Sequence, residues 1–198
     1  MTLKKGSREI RLFFLFLFIG LLADLTMYVF NQIGLGDKNK FVYNFYSLIE
    51  ALFFIYLIKT YVKNVKAEGL ANTLFIFTPI FWVSLQVLRW FFPIQQYYPG
   101  LVFDLYYEIS FSFLAGIVLL EMVEKYDSVS DKPMFWIFLG IFFYCFCTFF
   151  IATFLNTELS KNLWFLHNVF NIITYGFYTV GLWKYYKTQK LNLIKKET

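Results

Sequence analysis

Long apolar runs alternate with short polar stretches along the chain, and this alternation predicts helices that cross a membrane. A run of roughly 20 apolar residues, rising 1.5 Å per residue, spans a hydrocarbon core about 30 Å thick. The pattern predicts an all-α fold, a polytopic membrane protein whose six transmembrane helices form a bundle in one domain over 1–198. The predicted spans are about 12–30, 41–59, 73–92, 101–122, 135–155 and 163–183.

The spacing of these spans leaves two interpretations open. The odd-numbered spans start near Leu12, Thr73 and Phe135, at nearly even intervals. Three copies of a helical hairpin would produce this spacing. Any six-span protein with loops of even length would produce it too, and the slight side-chain identity between the three units favours that second interpretation. Pro79 lies inside the third span and is expected to kink it.

Composition supports the membrane assignment and removes several functional classes. The chain is 59% hydrophobic and only 16% charged, with a mean hydropathy of +0.57, so a soluble domain could not cover its apolar surface. The 28 Phe and 15 Tyr are expected to face lipid, to pack between helices or to form interfacial belts. Six spans in 198 residues leave no room for a soluble catalytic domain.

The basic residues sort by loop, which predicts the orientation of the chain. Four of the 18 lie on one side, at Lys38, Lys40, Arg89 and Lys161, and the other fourteen lie in the terminal segments, the second-third loop and the fourth-fifth loop. Basic residues are retained on the cytoplasmic side, so both termini are expected there, in a bacterial inner membrane. The net charge of +5 then reflects topology, and no direct binding of nucleic acid is expected.

Polar side chains inside the spans gather in the half away from the basic loops, and several share a helical face. A charge in hydrocarbon costs at least about 2.5 kcal/mol, so these charged groups should turn inward. An ion pair of Arg89 with Glu108 or Asp104 is expected. The sequence therefore predicts an outward-facing polar pocket that binds a small ligand, a proton or a lipid headgroup, lined by Asp24, Asn44, Ser47, Glu50, Gln86, Arg89, Asp104, Glu108, His167, Asn168, Asn171 and Tyr175.

The sixth span carries the most polar of these faces. His167, the only histidine, lies with Asn168, Asn171, Thr174 and Tyr175 within an arc of roughly 120° on a helix. A lipid-facing helix would not favour such an arc, so it is predicted to point inward. The other interpretation is that the Asn, Ser, Gln and His residues only hydrogen-bond between helices and hold the bundle together.

Catalytic and metal motifs are not found in the sequence. It has no Gly-x-Ser-x-Gly, no His-Glu-x-x-His and no phosphate-binding glycine loop. The side chains of Cys145 and Cys147, two residues apart, diverge on a helix, so no disulfide between them is expected. With one histidine and no paired thiolate motif, no metal or cofactor is expected either. The function predicted is an integral membrane accessory, sensor or ligand-binding module. The alternatives are a small transporter or oligomeric pore and, third, an intramembrane enzyme using Glu50, Glu108 and His167.

Two segments carry a resemblance, YNFYSLIEALFFIYLIK in the second span and WFLHNVFNIITYGFYTVGLWK in the sixth. With six spans over about 200 residues, the chain resembles small multi-span bacterial membrane proteins of uncharacterised function. In size and in its Phe- and Lys-rich composition it also resembles the membrane accessory proteins of RNA-targeting CRISPR effectors of the Cas13b type. That resemblance implies a regulatory membrane partner or pore without catalysis of its own, and it assigns no functional residues. The partners expected are membrane lipids, a second copy of the chain and a cytoplasmic protein at the basic loops.

Overall fold

The structure, a computed structural model, describes residues 3–91, 99–154 and 160–197, with side chains described over 8–89, 91, 100–151, 153 and 165–191. Six α-helices fill these ranges, and the described residues contain no strand, which confirms the all-α prediction. The helices are α1 (Leu3–Gln32), α2 (Asn39–Tyr61), α3 (Val65–Phe91), α4 (Pro99–Lys125), α5 (Pro133–Phe154) and α6 (Ser160–Glu197), with 3-10 turns at Gly36–Lys38 and Val129–Asp131.

Local sequence signals explain where several helices begin and end. Asn64 precedes α3, and its side-chain oxygen accepts hydrogen bonds from the backbone N–H groups of Lys66 and Ala67, at 3.0 and 3.1 Å. Pro133 begins α5, where a missing N–H costs nothing. After α1, Gly34 has a φ of +76°, a backbone conformation that glycine adopts without strain. The helix α3 continues through Pro79.

Five of the helices are long and apolar enough to cross a membrane, so this is a membrane protein by length and composition. Within the described residues these segments are Arg8–Gln32, Gly36–Tyr61, Val65–Arg89, Gly100–Lys125 and Pro133–Ile151. The sixth predicted span falls within α6, which is not among the five. Polar side chains such as His167 and Asn171 lower the mean hydropathy of that helix, and the sixth span therefore stays a prediction.

The helices extend beyond the predicted spans. The connection predicted over 60–72 is mostly helical, because α3 begins at Val65. The basic tail predicted after Trp183 is helical too, since α6 runs on to Glu197. Hydropathy marks where a helix enters hydrocarbon, whereas the helix itself ends where capping groups or glycine satisfy its backbone.

The chain divides into two compact units, and the prediction of one domain over 1–198 stays a prediction. The first unit contains 1–60 and 69–104, and the second contains 61–68 and 105–198. In the first unit, α1 and α2 pack antiparallel through aromatic rings. Phe16 stacks on Phe53, with ring centroids 4.5 Å apart, and further along Gly20 allows the hydroxyl of Tyr46 to approach the α1 backbone.

The second unit is held by the antiparallel pair of α5 and α6. A side chain at Gly140 would collide with the ring of Tyr178, so this glycine is needed for the close approach of the two helices. Phe143 packs edge-on against Phe170 and Phe177, with centroids 5.6 and 5.7 Å apart. Cys145 is buried, and neither it nor Cys147 forms a disulfide with the described residues.

A carboxylate of α4 fixes the turn between α2 and α3. The two oxygens of Glu121 accept hydrogen bonds from the backbone N–H groups of Lys63 and Asn64, each at 2.7 Å. These N–H groups belong to the short connection after α2, where no helical carbonyl is available to them. The contact lies wholly within the second unit.

Two surface grooves are lined mainly by apolar side chains. The groove in the first unit has a volume of about 260 Å³ and lies between α1 and α2, where Leu22, Phe41 and Phe45 contribute to it. The groove in the second unit has a volume of about 460 Å³ and lies between α4, which contributes Phe113 and Leu120, and α5, which contributes Phe142. Surfaces of this kind suit lipid acyl chains.

Candidate functional site

A buried carboxylate near the start of α4 is the centre of the candidate site. The side chain of Asp104 is 4% exposed, and its Oδ2 accepts a hydrogen bond of 2.8 Å from the hydroxyl of Tyr43 on α2. Ser47, one helical turn further along α2 and also buried, supplies a second hydroxyl beside this carboxylate. The other oxygen, Oδ1, is buried and has no hydrogen-bond partner among the described residues. Asp104 therefore keeps one unused acceptor inside the protein.

Close packing of α2 on the first turns of α4 brings these groups together. A Cβ at Gly100 would collide with Oδ1 of Asn44, so glycine at this position lets the two helices meet. Asp104 lies one helical turn after Gly100, and Tyr43 and Ser47 lie one turn apart on the facing helix. The same turn of α2 also holds α3, because the indole N–H of Trp82 donates to the carbonyl of Asn44 at 3.0 Å.

Tyr43 connects the buried carboxylate with the surroundings. Its side chain is 46% exposed, whereas the hydroxyl at its tip reaches Asp104. Tyr43 lies only four residues into α2, about 6 Å along the helix, so the cluster is close to one end of the spans. We call Asp104, Tyr43 and Ser47 the Asp104 cluster.

The remaining predicted residues of the first unit differ in their exposure. Glu50 is buried, as expected for an intramembrane acid. Gln86 is half-buried, and its Nε2 has no hydrogen-bond partner among the described residues. Asp24 and Arg89 are exposed, so the structure does not turn either side chain inward.

The ion pair predicted for Arg89 is not formed with Asp104. Arg89 lies in the last turn of α3, where a long side chain can reach the polar boundary and need not seek a buried acid. An ion pair of the described residues joins Lys184 to Asp131 at 3.2 Å, outside the spans. Glu108, the other predicted partner, is buried and belongs to the second unit.

The polar face of α6 is only partly inward. The amide of Asn171 lies 3.1 Å from Nε2 of His167, both residues are half-buried, and Thr174 is 3% exposed. Asn168 and Tyr175 are exposed, which corrects the prediction that the whole face points inward. The reason is angular, because both residues are more than about 100° away from the stripe of Phe170 and Phe177 that contacts α5.

Tyr43 is the residue of the cluster that the sequence prediction missed. It lies four residues before Ser47 and seven before Glu50, so it shares their helical face. In a chain with 15 Tyr, this one looked like an interfacial aromatic residue. The signal that could have found it is the position of its hydroxyl on a face already carrying Ser47 and Glu50.

No group of three or more His, Cys, Asp and Glu side chains in the described ranges is arranged to hold a metal ion. No known protein family, curated protein or solved structure matches this chain. The chemistry available to the Asp104 cluster is therefore read from its own groups. One carboxylate with two neighbouring hydroxyls and one unused oxygen can accept a proton or an N–H donor.

Proposed function

We propose that this protein is an integral membrane ligand-binding module, acting as a sensor or accessory, whose Asp104 cluster binds a proton or a small protonated amine. It would lie in a bacterial inner membrane with both termini in the cytoplasm, and the cluster would then face outward. The observation that carries the proposal is the unused Oδ1 of Asp104, an acceptor held in a side chain that is only 4% exposed.

Burial makes such an oxygen costly unless a donor arrives. An acceptor without a hydrogen bond inside a protein costs about 1–3 kcal/mol, and more when it is charged. A proton on the carboxyl, or an N–H from a bound ammonium group, removes most of that cost. Tyr43 and Ser47 hold the carboxyl in one orientation, so the free oxygen is aimed at one position and favours one small donor.

The charges around the Asp104 cluster favour a small cation as its ligand. The basic side chain at the nearby end of α3, Arg89, is exposed, so it does not neutralise Asp104. A protonated amine would supply both the missing charge and the missing donor. An anion would meet a carboxylate and would be repelled.

The test is a binding measurement on the full chain in lipid nanodiscs. Methylammonium chloride is the probe, and sodium chloride at the same ionic strength is the reference. The melting temperature of the wild type should rise with methylammonium but not with sodium, and Asp104→Asn should abolish that rise. The matched control is Asp24→Asn, which makes the same chemical change at an exposed carboxyl and should leave the rise intact.

A second readout separates a proton from an amine. Infrared difference spectra taken between two pH values should show a buried carboxyl band that disappears in Asp104→Asn and shifts in Tyr43→Phe, because Tyr43 donates to that carboxyl. A band without any methylammonium response would assign the site to a proton. If Asp104→Asn matches the wild type in both experiments, the Asp104 cluster is not a binding site.

A small transporter is the second candidate, and Pro79 favours it. Pro79 has no N–H, so the carbonyl four residues earlier in α3 loses its helical partner and the helix can bend there. Because Trp82 ties α3 to α2 beside the cluster, such a bend would move a wall of the site. Uptake of radiolabelled methylammonium into proteoliposomes, lost in Asp104→Asn, would indicate transport. Binding without uptake would indicate a sensor or accessory.

A further inference from the structure

The last part of α6 is a single helix that continues past the apolar segment. It runs without interruption to Glu197, and the fourteen residues after Trp183 are about 21 Å long. From Lys184 to Lys190 the sequence is KYYKTQK, which contains three lysines, two tyrosines and no acid. The first lysine is already engaged, because Lys184 pairs with Asp131 at 3.2 Å.

The remaining groups share one exposed face. At 100° per residue, Trp183, Tyr186, Lys187 and Lys190 fall within an arc of about 100°. Trp183 is 58% exposed and Tyr186 is 66% exposed, and both lysines are exposed. The ammonium group of Lys187 lies over the Trp183 ring, 5.6 Å from its centroid. We call these four residues the α6 basic face.

We propose that the α6 basic face binds the headgroups of anionic phospholipids in the leaflet where α6 leaves the bilayer. The inference rests on the membrane placement proposed above and is independent of the Asp104 cluster. Trp and Tyr favour the headgroup level, where the ring is apolar and the N–H or O–H is wet. Lysines one and two turns later on the same face then lie at the depth of lipid phosphates.

Charge complementarity selects the occupant. Lys187 and Lys190 carry two positive charges with no acid between Trp183 and Lys190 to neutralise them. Lys184 lies on another side of the helix and pairs with Asp131. The two lysines outside this pair, Lys187 and Lys190, lie on the α6 basic face. A zwitterionic headgroup offers no net charge to such a face, whereas phosphatidylglycerol does.

The experiment titrates lipid onto the purified full chain in detergent and counts bound molecules by native mass spectrometry. Dioleoyl phosphatidylglycerol is the probe, and dioleoyl phosphatidylcholine is the reference. The test variant is Lys187→Gln with Lys190→Gln. The matched control is Lys38→Gln with Lys40→Gln, which removes two exposed lysines, one from the turn before α2 and one from the first turn of α2.

The expected loss in the test variant is roughly fivefold in phosphatidylglycerol affinity per lysine, or roughly twenty-five-fold for the pair. Affinity for phosphatidylcholine should not change. The control pair should keep wild-type affinity for phosphatidylglycerol. Replacing both lysines by arginine keeps the charge and should keep the affinity, which shows that the loss does not come from misfolding. Raising the salt concentration should weaken the wild type far more than the test variant.

Three results would overturn the proposal. The first is equal loss in the two glutamine pairs, which would mean that only the total charge matters. The second is an unchanged affinity in the test variant, which would leave the α6 basic face to an acidic protein partner. The third is displacement of the lipid by inorganic phosphate at the same concentration, which would identify a free-anion site. None of these results bears on methylammonium binding at Asp104.

Discussion

The hydrogen bonds from the turn between α2 and α3 to Glu121 allow a quantitative prediction. Replacing Glu121 with alanine removes both acceptors of the N–H groups of Lys63 and Asn64, each now at 2.7 Å. A hydrogen bond to a charged group contributes about 1.5–3 kcal/mol. Lys63 and Asn64 are exposed, so water replaces part of that loss. We therefore expect Glu121→Ala to lower the free energy of unfolding by about 1–3 kcal/mol in total.

Glutamine at the same position separates charge from geometry. Glu121→Gln keeps one acceptor oxygen and loses the charge, so it should cost about half as much as alanine. Glu124 is the matched control, because it lies three residues further along α4 and is exposed. Glu124→Gln should change stability by less than about 0.5 kcal/mol, the usual range for a surface substitution.

Two assays check this series. Reversible unfolding in mixed dodecylmaltoside and dodecyl sulfate micelles gives the free energies, and hydrogen exchange gives the protection of the Lys63 and Asn64 amides. Exchange of those two amides should accelerate in Glu121→Ala and much less in Glu124→Gln. An alanine variant as stable as the glutamine variant, with both amides still protected, would refute the assignment of this turn to Glu121.

Three further predictions concern packing, pH and lipid exposure. Gly140→Ala should destabilise the pair of α5 and α6 measurably in the same unfolding assay, because the new methyl group meets the Tyr178 ring, whereas Gly116→Ala has ordinary contact distances and should be nearly neutral. The hydrogen bond from Ser128, followed by the contact with Lys184, lowers the pKa of Asp131 below its usual 3.8. The difference in stability between wild type and Asp131→Asn should therefore be complete above pH 3.8 and should vanish as the pH falls through the lowered pKa. A difference that grows in acid would contradict this prediction. Asp24→Leu replaces an exposed acid inside a span and should favour membrane insertion by about 2.5 kcal/mol or more in a translocon assay, and a loss of stability instead would mean that Asp24 has a partner in an assembly.

The prediction for Asp24→Leu depends on the exposed surface of α1. Phe14, Leu21 and Tyr28 are all more than 60% exposed and lie on the side of the helix that carries Asp24. The apolar side chains of this surface suit contact with lipid, but the carboxyl of Asp24 does not.

Hydropathy alone determined the helices and most of the spans. Five predicted spans correspond to helices that can cross a membrane, because an apolar run of the right length has no other way to satisfy its backbone in hydrocarbon. The acids Glu50, Asp104 and Glu108 were predicted to be buried and are buried, since a charged group on a spanning helix avoids lipid.

Only the tertiary structure decided which polar groups meet. Periodicity assigns a side chain to a face of its own helix, but not to the helix that covers that face. Asp104 is buried because Gly100 lets α4 approach α2 at Asn44, whereas Asp24 stays exposed although it lies only one turn after Gly20, where α1 meets Tyr46. The donor to Asp104 is Tyr43, which lies 61 positions earlier in the chain, and only the packing of two helices could select it from the other tyrosines.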